Sequence, residues 1–166
     1  MKKLIKTKKR VADHGEVFTS QREVDAMLNL VENECERFDS RFLEPACGDG
    51  NFLENILIRK LKLLTPYKNS EIEYIKNLYV IISSIYGIEI LSDNLERCRQ
   101  RLASIAYKFY TKNFNENKQV NISINYIFKK NIVHGDALTL MRADDSNKPI
   151  IFSEWSLINL SLIHIS

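Results

Sequence analysis

Two glycines set between a short apolar run and an amphipathic run constrain this chain more than any other feature. Arg41-Phe-Leu-Glu44 reads as a strand, and Pro45, Ala46, Cys47, Gly48, Asp49 and Gly50 follow as a tight turn. From Asn51 to Leu64, apolar side chains at Phe52, Leu53, Ile56, Leu57, Leu61 and Leu64 share one side, so the spacing predicts a helix ending near Pro66. Glycines in a strand-to-helix turn let backbone approach a ligand closely and leave helix amides free to bind it. A chain built on this unit belongs to the α/β class if further strands and helices alternate behind it.

They do alternate. Ahead of the turn, Ser20-Gln-Arg-Glu23 has the form of a capping box. Val24, Met27, Leu28, Val31, Cys35 and Phe38 recur behind it at helical spacing, which predicts a helix over 20–38. Ser70-Glu-Ile-Glu73 is a second capping box, opening a helix that uses Ile75, Leu78, Tyr79 and Ile82. Ile85-Tyr-Gly-Ile-Glu-Ile90 is rich in β-branched and aromatic residues and reads as a buried strand. Ser92 caps the next helix, with Leu95, Cys98, Leu102, Ile105, Ala106 and Phe109 inward. Asn113 to Gln119 reads as a polar loop. A third strand is best placed at Asn131-Ile-Val-His134, and Pro149 to Phe152 is a candidate fourth. The order predicts parallel strands joined by right-handed crossovers.

Composition limits the function classes. The 166 residues fit one domain, and 45% hydrophobic with 27% charged residues is ordinary for a soluble protein. No run reaches the ~18 apolar residues of a membrane span. The basic start, Met1 to Arg10, is followed by no apolar core of a secretory signal. It reads as a solvated N-terminus over 1–13, or as a phosphate-contacting arm. A net charge of +3 permits a nucleic-acid partner without requiring one. Cys35, Cys47 and Cys98 form no zinc pattern and no disulfide framework, and the expected compartment is the cytoplasm. The three histidines form no metal or triad pattern, so no catalytic or metal-ligating residue is assigned.

The binding residues come from three strand ends. At the first, Glu44 opens the glycine turn. A dinucleotide fingerprint would want a small residue three places after Gly50, where Leu53 stands. The large side chain disfavours a pyrophosphate, and the acidic Glu44 suits a cationic ligand; both point to S-adenosyl-L-methionine over NAD. At the second, Glu89 in Gly87-Ile-Glu-Ile90 lies where a carboxylate would hold ribose hydroxyls, although an extra helix puts it farther from Gly50 than the usual ~20 residues. A solvated strand-end glutamate is the other reading, and Asp93 competes but reads better as a first-turn residue of its helix. At the third, Asp136 in His134-Gly-Asp-Ala137 can accept from an adenine amine or cap a helix. In a doubly wound sheet these three ends share one crevice.

Here the sequence resembles a family. Leu43-Glu-Pro-Ala-Cys-Gly-Asp-Gly-Asn-Phe-Leu53 resembles the first cofactor motif of adenine-specific (N6) DNA methyltransferases. His14-Gly-Glu-Val-Phe-Thr-Ser-Gln21 resembles their upstream motif, and Gly87-Ile-Glu-Ile-Leu91 and Asn131-Ile-Val-His-Gly-Asp-Ala137 match the second and third in place and order. The resemblance covers residues 14 to about 140. It implies a Rossmann-like class I S-adenosylmethionine-dependent methyltransferase fold, incomplete, with the first three to four parallel strands and their helices. It implies a cofactor domain over 14–142 and an incomplete segment over 143–166. By the same resemblance Phe18 and Thr19 close the methionine end, although Phe18 also reads as a core residue. Glu44, with Pro45, Ala46 and Cys47 behind it, lies near the methionine amino group. Gly48 and Gly50 admit the cofactor, Glu89 and Ile90 face the ribose, and Asp136 and Ala137 face the adenine.

The implied role is the modification subunit of a restriction–modification system, with double-stranded DNA and a restriction endonuclease or specificity subunit as partners. Such enzymes carry Asn/Asp-Pro-Pro-aromatic after the third strand, to hold a base flipped out of the duplex. The only prolines here are Pro45, Pro66 and Pro149, so that motif is missing, and the apolar end Ser161–Ser166 reads as a truncated or read-through frame. The chain alone is therefore expected to be inactive. The alternative is a non-catalytic accessory subunit paired with a separate catalytic chain. An NAD-binding domain is a third reading, against which Leu53 and Pro45 speak.

Overall fold

The computed structural model of the chain describes residues 21–144, 146, 148–158 and 161–165. Ser20, the Phe18–Thr19 step and the basic N-terminus lie outside the described residues. Among the described residues no helix is long and apolar enough to cross a membrane.

The chain is α/β. Strands β1 (Phe42–Glu44), β2 (Ile85–Glu89) and β3 (Ile132–Asp136) lie side by side and parallel, in the order of the sequence. A two-residue strand β4 (Met141–Arg142) runs antiparallel to the end of β3, so the sheet is mixed. This corrects the expectation of a fourth parallel strand. Pro149–Phe152 is no strand either; Pro149 makes a single bridge to Met141. A separate antiparallel hairpin, β5 (Glu154–Ile158) and β6 (Ser161–Ile165), occupies the segment that reads in sequence as an unfinished end.

Each parallel crossover carries two helices. Between β1 and β2 run α3 (Asn51–Leu61), a 3-10 helix (Lys62–Tyr67) and α4 (Glu71–Ser83), and between β2 and β3 run α5 (Ser92–Thr111) and α6 (Lys118–Asn131). The predicted α3 is cut short at Leu61, because the chain tightens into the 3-10 turn that holds Pro66. Ser70 caps α4 by accepting from the Glu73 amide at 3.5 Å, but its own amide goes to the Tyr67 carbonyl, so the capping box is half made. Leu91, not Ser92, occupies the cap position of α5. The helix expected over 20–38 is α1 (Gln21–Leu30) and α2 (Glu32–Cys35), broken at Val31. The turn after α2 carries Phe38 back onto Tyr67, ring edge to ring face at 5.9 Å.

The largest departure is α6. The expected loop ends at Asn117, whose side chain accepts from the Gln119 and Val120 amides and starts a helix of 14 residues. Asn, Ser, Ile and Tyr give this segment low helix propensity, a penalty of up to ~0.7 kcal/mol per residue. Buried Val120, Ile124, Ile127 and Phe128 outweigh it, at about 1.5–3 kcal/mol each. The helix also takes Asn131, which displaces the start of β3 to Ile132.

Core side chains come from every layer: Leu53, Ile56 and Leu57 of α3, Leu78, Ile81 and Ile82 of α4, Cys98 and Leu102 of α5. Two polar side chains are wholly buried where the strands begin. Asn131 donates to the Ser83 and Ile85 carbonyls, both at 3.1 Å, and accepts from the Trp155 indole at 2.7 Å. Trp155 is thus a packing residue, seated edge-on to Tyr126. Lys60 Nζ donates to the Ser40 carbonyl at 2.6 Å and to Ser84 Oγ at 2.8 Å, with the Phe42 ring 5.3 Å away.

Burial pulls the Lys60 ammonium down from 10.5 to about 8. The unfolded chain then holds more protons between those values, so the cost of burying Lys60 is relieved as pH rises through that window. Against Lys60→Met, the wild type should gain up to ~3 kcal/mol of relative stability between pH 8 and 10.5. The buried thiols pull the other way in both proteins and cancel in the difference, except for the coupling of Cys35 to Lys60. Urea midpoints across that range test this, and a pH-independent difference would exclude it.

Candidate functional site

The crevice is made where the parallel strands end. β1 stops at Glu44, level with Gly87 of β2, and β2 runs on to Glu89, level with His134 of β3. The turn after β1 therefore lies against the last two residues of β2. Cys47 donates its amide to the Ile88 carbonyl at 3.0 Å, which extends the parallel pairing into the turn.

Glu89 fastens the turn from the other side. Its Oε2 accepts from the Gly48 amide at 2.7 Å and its Oε1 from the Leu91 amide at 2.8 Å. The side chain is 7% exposed, so the solvated strand-end reading does not hold. Each carboxylate oxygen accepts more than one hydrogen bond, so both keep capacity for a ligand hydroxyl. Ile90 is half exposed, and its carbonyl accepts from His134 Nε2 at 2.9 Å, which fixes the proton on that nitrogen.

Within the turn, Gly48 and Gly50 have φ of 55° and 90°, the left-handed region. Gly50 is also crowded: a Cβ there would lie 2.8 Å from Cys98 Sγ. Gly87 is crowded from the opposite side, with Cys47 Sγ 2.9 Å from where its Cβ would be. Two buried thiols thus fill the space of two missing side chains. A hydrogen bond to Cys98, together with burial, pushes the Cys47 thiol far up, so Cys47 is a packing residue of the turn and no nucleophile. Gly50 stands at the start of α3 with no side-chain cap, so the helix presents its amide end to the crevice.

Glu44 is half buried with its carboxyl raised, chiefly by burial and against the pull of the Ala46 amide. Pro45 and Ala46 are exposed on the rim. Asp136 ends β3, half buried, and accepts from the Leu138 amide at 2.8 Å. It stabilises a turn, not a helix, since Ala137 leads into β4. The structure thus brings Glu44, the glycine turn, Glu89 and Asp136 to one edge of three adjacent strands. Asp93 is paired with Arg97 in the first turns of α5. Phe18 and Thr19 fall outside the described residues. No family model, no curated protein and no solved structure matches this chain.

Two contributors escaped the sequence. Cys98 lies on the predicted apolar stripe of α5, but nothing in that stripe indicates that it meets Gly50. Arg101 binds Asp49 at 3.1 Å and Glu54 at 3.4 Å, neutralising the acid within the turn. That partnership spans 52 positions and has no local signal.

Gly50→Ala should destabilise the fold by ~1–3 kcal/mol through its left-handed backbone and the clash with Cys98. Adding Cys98→Ala should recover only the steric part, as read from urea midpoints of the single and double variants; full recovery would show that the backbone is unstrained. Glu44→Gln should raise stability at neutral pH, because a folded-state pKa above the unfolded one costs stability once the group ionises. That gain should vanish as pH falls below ~4 and the wild-type carboxyl protonates. A gain that persists at low pH would assign it to packing.

Proposed function

We propose that this chain is the S-adenosyl-L-methionine-binding portion of a site-specific DNA adenine-N6 methyltransferase with a Rossmann-like fold. The observation that carries the reading is the contact between Glu89 and the Gly48 amide, which sets an acidic strand end against a glycine turn on the neighbouring parallel strand. The sequence motifs resemble those of the family, and this contact is consistent with their order.

The residues suit the ligand in charge and shape. Glu44 lies where a cationic amino group offsets the cost of ionising a half-buried carboxyl. Gly48 and Gly50 admit it close to the backbone, Glu89 accepts from ribose hydroxyls, and Asp136 accepts from an exocyclic amine. The cofactor, when bound, supplies the methyl group. An anionic pyrophosphate would instead face Glu44, Glu89 and Asp136, while the charge of Arg101 is already engaged by Asp49 and Glu54.

Transfer to DNA needs groups that this sequence does not contain. No two of its prolines are adjacent, so it has no Pro-Pro element to hold a flipped base.

Calorimetric titration should give saturable binding of S-adenosylmethionine and none of NAD. Asp136→Ala should weaken it about tenfold, the loss of a hydrogen bond worth ~1.4 kcal/mol. Radiolabelled cofactor should transfer no methyl group to unmethylated duplex DNA. A folded chain that binds NAD equally well, or binds neither, would overturn the proposal.

A further inference from the structure

A second concavity, of about 780 Å³, runs along the outer edge of β3; Glu44, the glycine turn, Glu89 and Asp136 do not line it, and His134, bonded to the Ile90 carbonyl, does. Its lining includes Glu96 and Arg99 of α5 and Tyr126, Lys129 and Lys130 in the C-terminal part of α6. Arg142 of β4 and Asp144 close the far side. Among the described residues, four cations face two carboxylates there, an excess of positive charge.

The cations are of two kinds. Arg99 is committed: it donates to the Ile132 carbonyl at 2.6 Å and to Glu96 at 2.6 Å, which seals the edge of β3. Arg142 is held by Asp144 at 2.6 Å. Lys129 and Lys130 make no ion pair among the described residues. Beside them Tyr126 is 46% exposed, with Lys130 Nζ over its ring 5.6 Å from the centroid and the Trp155 ring in T-shaped contact at 6.2 Å. An exposed ring held in place by a second aromatic, with an ammonium within reach, is a surface on which a base stacks while its phosphate meets a cation.

We propose that this groove binds a segment of single-stranded nucleic acid, with Lys129 and Lys130 on phosphates and a base on Tyr126. The lysines and the ring lie outside the cofactor crevice, which the groove touches at His134, so this binding goes beyond the cofactor reading. An acidic protein surface would use the two lysines but would have no need of the ring.

Fluorescence anisotropy with a labelled oligothymidylate of about 12 nucleotides tests this, a length within the site sizes of single-strand binders. Binding should be saturable and weaken as salt rises. Lys129→Glu with Lys130→Glu should weaken it tenfold or more. Tyr126→Ala should weaken it about tenfold with little change in salt dependence, and Tyr126→Phe should restore it. Circular dichroism establishes that each variant is folded, and calorimetry with S-adenosylmethionine should give the wild-type result for the double lysine variant, which separates the two sites. No binding by the folded wild type overturns the proposal. So does binding that survives the lysine reversals, or that ignores Tyr126→Ala, since the surface would then attract any polyanion.

Discussion

The crevice depends on one buried carboxylate. Glu89 spans from the end of β2 to the turn after β1, taking one amide from each side. A buried carboxylate is costly unless hydrogen bonds replace its water, and charge-assisted bonds to backbone N–H groups are among the stronger ones available. Breaking one would leave charge under-solvated in a site that is 7% exposed, so the turn cannot drift from β2 without a penalty. The short strand β1, three residues long, could not enforce that position by its own ladder. The residue that tethers the turn therefore also presents the acceptor toward which a ligand would be drawn.

At the opposite ends of the strands, Asn131 and Lys60 do comparable work with opposite electrostatics. Asn131 is neutral, and its amide spends both donors on carbonyls around the start of β2 while its oxygen holds Trp155. Through that one side chain the end of α6, the start of β2 and the hairpin segment share a junction. Tyr86 joins the same assembly, its hydroxyl donating to the Ser153 carbonyl at 3.0 Å and its ring edge-on to Phe152. Lys60 is charged and carries a desolvation cost that Asn131 does not, yet it gathers the chain before β1 and the chain before β2. Both ends of the parallel sheet are thus closed by polar side chains, and the apolar core lies between them.

What the sequence could reveal follows from the range over which each signal acts. The glycine turn, the cap at Ser70 and the apolar stripes of α3 and α5 are local, and they appear at or near the expected places. β2 was legible because five consecutive buried residues leave an apolar run. α6 was not: its asparagines read as loop, and its stripe at Val120, Ile124, Ile127 and Phe128 gains meaning only against the neighbours that bury it. β4 was illegible because two residues carry no periodicity. In the site, strand ends could be ordered from sequence, but the bridge from Glu89 to Gly48 spans 41 positions, and the complementarity of Cys98 with Gly50 depends on how α5 lies on α3. Residue types announce themselves locally, whereas partnerships between crossovers do not.

Charge divides the described surface in a way that bears on both sites. The strand ends gather Glu44, Glu89 and Asp136, and Arg101, beside the glycine turn, is engaged by Asp49 and Glu54. The edge of β3 gathers Arg99, Lys129, Lys130 and Arg142. Fields of opposite sign on one small domain would sort ligands before any contact forms: under the two proposals a cation would be drawn to the crevice and a polyanion to the groove. A phosphate chain lying in the crevice would work against this field, and a sulfonium or ammonium in the groove would do the same. Raised ionic strength screens exposed lysines over a Debye length of ~8–10 Å, but it acts less on half-buried carboxylates. If both proposals hold, the two kinds of binding should part company in salt, the groove losing affinity where the crevice keeps it.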